Sequence, residues 1–146
     1  MQKMWGNEYR TTMVCVDSYE NRVLTGRFYN QYCPEGVRFE SLIDLLKKME
    51  DMLDRMRFPQ PFASVRTFAE TPMMENGAPE GAAPREGACA TFEVRVLFRQ
   101  NASWQGSVTW LDGRREESFR SVLELIFLMD SAIYLSRKNR ASLDMP

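Results

Sequence analysis

Gly26, Phe39, Ser41, Leu45 and Met49 recur, in order and without a gap, as Gly106, Phe119, Ser121, Leu125 and Met129. The same offset superposes Thr11 on Thr91, Val14 on Val94, Val16 on Val96 and Asn21 on Asn101. Self-similarity at one fixed spacing constrains the fold before any local feature does, because both copies must build the same elements. A copy this short lies close to the limit for an independent domain without disulfides or metal, on the order of 40 residues, so the two copies are expected to share a core. The chain of 146 residues therefore reads as a single domain, 1–146. It divides into repeat one (11–57) and repeat two (91–138), joined by a linker at 71–90.

Composition narrows the chemistry. The absence of histidine removes the commonest general base, the commonest zinc ligand and every Ser-His or Cys-His nucleophile. Three cysteines, Cys15, Cys33 and Cys89, are too widely spaced for a CxxC pair and odd in number for a disulfide framework. No phosphate-binding glycine loop is present, since Gly77, Gly81 and Gly87 lie in the linker without a flanking strand and helix. A non-enzymatic protein with no cofactor and no metal is expected. A formal charge of -1 gives no bulk attraction to a polyanion. The opening MQKMWGNEYR has no apolar core and no run approaches a membrane span, so a cytoplasmic location is expected.

In the second copy Phe92, Val94, Val96 and Phe98 alternate with Glu93, Arg95, Leu97 and Arg99, the period of a half-buried strand. A returning strand is expected at 104–111, a tight turn at Asp112-Gly113 and a third strand at 115–119. The first copy repeats this with strands at 12–19 and 24–31, the breaker Pro34-Glu35-Gly36 and a stub at 37–39. Asn21 and Asn101 suit left-handed turn positions. Ser41 with Asp44, and Ser121 with Glu124, form capping boxes that start helices 41–57 and 121–138. Lys47 and Lys48 belong to the wet face of the first helix, with Asp44–Lys48 and Asp51–Arg55 as surface ion pairs. At the equivalent places the second helix carries Phe127 and Leu128, so its outer face needs a cover. That cover is either a partner or this chain's own N-terminal decapeptide or 62–68. A further strand at 62–68 is left open, and the Ala-, Gly-, Pro- and Glu-rich 71–90 reads as a flexible linker.

Two constellations stand out. Trp104, Gln105 and Trp110 surround Gly106 and would give an aromatic platform for a partner, and Phe127 and Leu128 would give an exposed patch on the second helix next to Ile126 and Met129. Against this, positions 104, 106, 108 and 110 share one strand face, which suits a core with Gly106 making room for a ring. Arg95, Arg99, Arg114, Arg115 and Arg120 could give a basic sheet face for single-stranded nucleic acid, with Arg95 and Arg99 opposite Val94 and Phe98. Glu93, Glu116 and Glu117 intersperse them, as on an ordinary solvated face.

Gly26-Arg-Phe-Tyr29, leading through a turn into an amphipathic helix, resembles in plan the PUR-repeat and whirly-type proteins. That resemblance implies an intertwined body and single-stranded nucleic-acid binding. The sequence as a whole points to an α+β, two-layer fold: an antiparallel sheet from two pseudo-symmetric βββα repeats, both helices packed on it. The expected function is that of an interaction or adaptor protein, homodimeric, with no membrane contact. Its surface is drawn from Trp104, Gln105, Trp110, Phe127 and Leu128, with nucleic-acid binding as the alternative.

Overall fold

The structure is a computed structural model that describes residues 6–77, 79 and 85–144. It is an α+β fold with one six-stranded antiparallel sheet and two helices. Strands β1 (Thr11–Glu20), β2 (Val23–Asn30) and β3 (Cys33–Phe39) lead into helix α1 (Leu42–Met56). Strands β4 (Ala90–Phe98), β5 (Gln105–Trp110) and β6 (Arg115–Phe119) lead into helix α2 (Val122–Asp144). The order across the sheet is β3-β2-β1-β4-β5-β6, so β1 and β4 join the halves at the centre and β3 and β6 are edges. Val14 lies opposite Phe92 and Thr12 opposite Val94, and the two valines and Phe92 are fully enclosed. A single buried cluster runs from Leu45, Met49 and Leu53 of α1 through Val14, Val16, Phe92 and Val94 to Leu125, Met129 and Ile133 of α2.

Local chemistry explains the turns. Asn21 and Arg22 have φ of 52° and 61°, and Asn101 and Ala102 have 56° and 53°. Paired left-handed residues match the right-handed twist of a hairpin, and asparagine tolerates them through its short polar side chain. Between β2 and β3 the buried Asn30 ties the turn down: its Nδ2 donates to Tyr9 O at 3.0 Å and Thr12 Oγ1 at 3.1 Å, while Oδ1 accepts from Tyr32 N at 2.8 Å.

Several sequence expectations are corrected. Pro34-Glu35-Gly36 is not a break: it lies inside β3, where an edge position tolerates proline and Gly36 takes φ 87°. In the last turn the left-handed residue is Arg114 (φ 53°), not Asp112 or Gly113. Residues 62–68, left open from the sequence, add no strand, and an isolated bridge just before them joins Pro61 to Arg99. Ala90, assigned to the linker, opens β4 and is fully buried. Lys48 is buried rather than wet, because its Nζ donates to Arg38 O at 2.7 Å and Asp44 Oδ2 at 3.1 Å. Ser41 and Ser121 cap their helices as expected, but the acids reach one residue further back, Asp44 to Glu40 N–H and Glu124 to Arg120 N–H.

The main departure is a pair of bulges. The register shifts between Val16 and Ser18 against β2, and between Val96 and Phe98 against β5. One inserted residue reverses which face each later side chain meets. Phe98, expected inside, is 53 % exposed, and Arg99, expected on the opposite solvent face, is 2 % exposed. Gly26 and Gly106 pair with Val16 and Val96 immediately before each shift. A Cβ on Gly26 would land on the carbonyl oxygen of Cys15, and one on Gly106 on that of Arg95. Gly106 thus yields to a backbone carbonyl, not to an aromatic ring. Gly26→Ala and Gly106→Ala should each lower stability by roughly 1–3 kcal/mol, as overpacking does. The urea midpoint measures this, and an unchanged midpoint at either position would refute the close-approach account.

Candidate protein-interaction surface

Past its bulge each central strand sends one polar side chain under a helix. Arg99 Nη1 donates to Glu50 Oε1 at 2.8 Å and Asp54 Oδ1 at 2.7 Å, both on α1, while its Nε donates to Pro59 O at 2.7 Å. Trp104 Nε1 completes the group by donating to Glu50 Oε2 at 2.6 Å. On the other side Tyr19 Oη donates to Asp130 Oδ1 on α2 at 2.7 Å. A buried guanidinium needs such partners, because desolvating it alone costs several kcal/mol. Arg99 is therefore a structural cation, closed to phosphate.

The remaining nucleic-acid candidates separate. Arg120 is bound to Glu124 through Nε at 3.0 Å and Nη2 at 2.9 Å. Arg95 lies in a groove of about 380 Å³ on the sheet face away from the helices, where Glu8, Glu93 and Glu116 surround it. Arg114 and Arg115 are exposed at the β5–β6 turn and on β6. The five arginines form no continuous basic face.

Among the partner-binding candidates, Trp104 is 3 % and Trp110 8 % exposed, and both belong to the core cluster. Gln105 closes its own turn, accepting from Gln100 N at 2.8 Å and donating to Gln100 O at 3.0 Å. These three give no accessible platform. Trp110 and Leu128 meet, with Arg115 and Glu117, around a cavity of about 160 Å³ between α2 and the sheet. Phe127 stands out from α2 at 63 % exposure. Two residues missed from the sequence join it: Leu123 at 60 % and Tyr134 at 63 %. Their spacing of four and seven from Phe127 puts them on one helical stripe, a signal that was present but needed the inward phase of α2 to be read.

The equivalent face of α1 is flanked by chain only in part, since Ile43, the counterpart of Leu123, is 71 % exposed. Leu46, Lys47 and Asp51 line a groove with Val65, Thr67 and Met73 of the segment that follows α1, and Lys47 bonds to Thr71. Of the expected intramolecular covers, residues 1–5 of the N-terminal decapeptide, Met4 and Trp5 included, lie outside the described residues; its 3-10 turn Asn7–Arg10 lies against β1 and β4, and Val65 and Thr67 border the groove on α1.

Burial pushes the Cys15 thiol up to about 11 and raises Cys33 as well, so neither is a thiolate near neutral pH. Among the described residues no group of three His, Cys, Asp or Glu could hold a metal ion, and no helix is long and apolar enough to cross a membrane. Compared with known proteins, the chain matches no family model, no curated protein and no solved structure. The likeness to PUR-repeat and whirly-type proteins rests on element order alone.

Two measurements follow. Hydrogen bonds from Arg120 hold the Glu124 carboxyl down to about 2 against an ordinary 4.5. A carboxylate lowered by folding contributes stability above its unfolded pKa and loses it as pH falls toward the folded one, here from 4.5 toward 2. In an NMR titration Arg120→Gln should return the Glu124 midpoint toward 4.5, and an unmoved midpoint would refute the assignment. Trp104 and Trp110 should also differ. Trp104→Phe strands Glu50 Oε2, whereas Trp110 Nε1 is buried with no hydrogen-bond partner. Trp104→Phe should cost about 1–3 kcal/mol and Trp110→Phe much less, because only the first orphans a partner. Equal losses in urea unfolding would contradict this.

Proposed function

We propose that this chain is a non-enzymatic interaction or adaptor protein that binds a protein partner through the aromatic and apolar stripe of α2, on a two-layer body of two pseudo-symmetric βββα units. The observation that carries the binding reading is the exposure of Leu123, Phe127 and Tyr134 on one stripe that no described residue covers. Exposed apolar patches of this kind commonly mark association surfaces, since leaving them in water forfeits hydrophobic free energy. Relative to the expectation from sequence, the surface moves from the tryptophans to the helix.

The paired architecture is supported by contacts as well as by the sequence offset. Tyr19 and Arg99 occupy equivalent positions, as do Asp130 and Glu50. Each strand residue reaches the helix carboxylate of the other half. Gly26 and Gly106 likewise hold the same register, opposite Phe39 and Phe119. Such crossed contacts make each half incomplete without the other, which favours one body over two linked domains.

Single-stranded nucleic-acid binding is the weaker reading, for want of a basic face. Photo-cross-linking separates the two. With benzoylphenylalanine at Phe127 in one variant and at Arg95 in another, adducts at 127 that survive nuclease are expected. Nuclease-sensitive adducts at 95, with none at 127, would overturn the proposal.

A further inference from the structure

Resting on the reading of α2 as the interaction surface, we infer that its partner is a second copy of this chain, bound by antiparallel packing of α2 against α2 across a two-fold axis near Ser131. Four observations converge on it. The outward stripe Leu123, Phe127, Ser131, Tyr134 and Lys138 has spacings of four and three, the seam of a helix that meets another helix. From Leu123 to Lys138 it runs about 22 Å at 1.5 Å per residue, roughly four turns.

The centre of that seam is small. Ser131 is exposed, and its hydroxyl donates to Leu128 O at 2.9 Å, so it presents a compact surface with its donor already satisfied. Two helix axes can approach closely where small residues meet. A two-fold axis there brings Phe127 of each copy beside Tyr134 of the other, giving two identical aromatic contacts from one sequence.

Charge fixes the direction. Exposed Arg137, Lys138 and Arg140 gather at the C-terminal half of α2, whereas Glu124 and Asp130 lie in its N-terminal half. Parallel packing would set three cations against three. Antiparallel packing sets Lys138 beside Glu124 of the other copy and opposes the helix dipoles favourably. Arg120 already binds Glu124, so this term selects the orientation more than it supplies affinity.

The comparison with α1 supplies the fourth. The equivalent face of α1 is more charged, and its middle, at Lys47 and Asp51, borders a groove lined by Val65, Thr67 and Met73 of the same chain, while Ile43, the counterpart of Leu123, is 71 % exposed. The more apolar face of α2 has no such flanking segment among the described residues, and a second α2 supplies a cover of matching character.

The test uses the full chain. Light scattering across a concentration series should give a dimer, and Phe127→Lys with Tyr134→Lys should weaken it at least about 100-fold, the effect of losing hot-spot aromatics. Circular dichroism checks that this variant stays folded. In a Cys33→Ser background, Ser131→Cys should oxidise to a disulfide-linked dimer, whereas Leu123→Cys should not cross-link to itself. Leu123→Cys should instead cross-link to Lys138→Cys when the two variants are mixed. Self-linkage of Leu123→Cys without linkage of Ser131→Cys would overturn the antiparallel arrangement. A chain that stays monomeric at all concentrations overturns the second copy as partner, and adducts to other proteins at position 127 would then leave the interaction surface standing. A dimer indifferent to Phe127→Lys with Tyr134→Lys overturns α2 as its interface, and the absence of any adduct at position 127 would then overturn the interaction surface as well.

Discussion

A cation enclosed by protein must be met by opposite charge and by oxygen acceptors, and the arrangement around Arg99 follows from that requirement. The bulge after Val96 turns this side chain inward. Once inside, it requires Glu50 and Asp54 of α1 and the carbonyl of Pro59 to stand within hydrogen-bonding reach. One residue thereby fixes three parts of the chain together: the end of the central strand, the last turns of α1 and the loop that follows. Trp104 binds the second oxygen of Glu50, so the start of β5 is drawn into the same arrangement. Aliphatic packing alone would hold these parts together without fixing their relative positions so closely.

Much of this was legible in the sequence because it depends on short-range rules. The serine caps, the left-handed asparagines and the alternation through Val94 and Val96 are decided within a few residues, and they agree with the structure. What could not be read depends on pairings across the sheet. Nothing in Val96-Leu97-Phe98-Arg99 announces that Leu97 is an inserted residue, because a bulge is defined by the partner strand. Missing it exchanges the roles of Phe98 and Arg99. Lys48 was misplaced for a related reason: besides Asp44 on its own helix, it donates to the carbonyl of Arg38 on β3.

The candidate surface was half legible. The contrast between Phe127 with Leu128 and Lys47 with Lys48 singled out α2, but the tryptophans drew more weight than their burial allows. Trp104 has its polar edge on Glu50, and Trp110 is enclosed between β5 and α2, as large aromatics commonly are. Leu123 and Tyr134 became visible only once Leu125, Met129 and Ile133 had defined the inward phase of the helix.

The two edges of the sheet bear on how large an assembly of this chain can grow. At β3, Pro34 lacks a backbone N–H and Gly36 bends the strand away from ideal geometry. At β6, the short run Arg115-Glu-Glu-Ser118 would set glutamates close together if two such strands aligned antiparallel. Both margins therefore resist the strand-by-strand addition that makes fibrils, the protection that natural sheets need at open edges. Association through a helix on one face can close after a single step, leaving a soluble particle of fixed stoichiometry instead of an extending polymer.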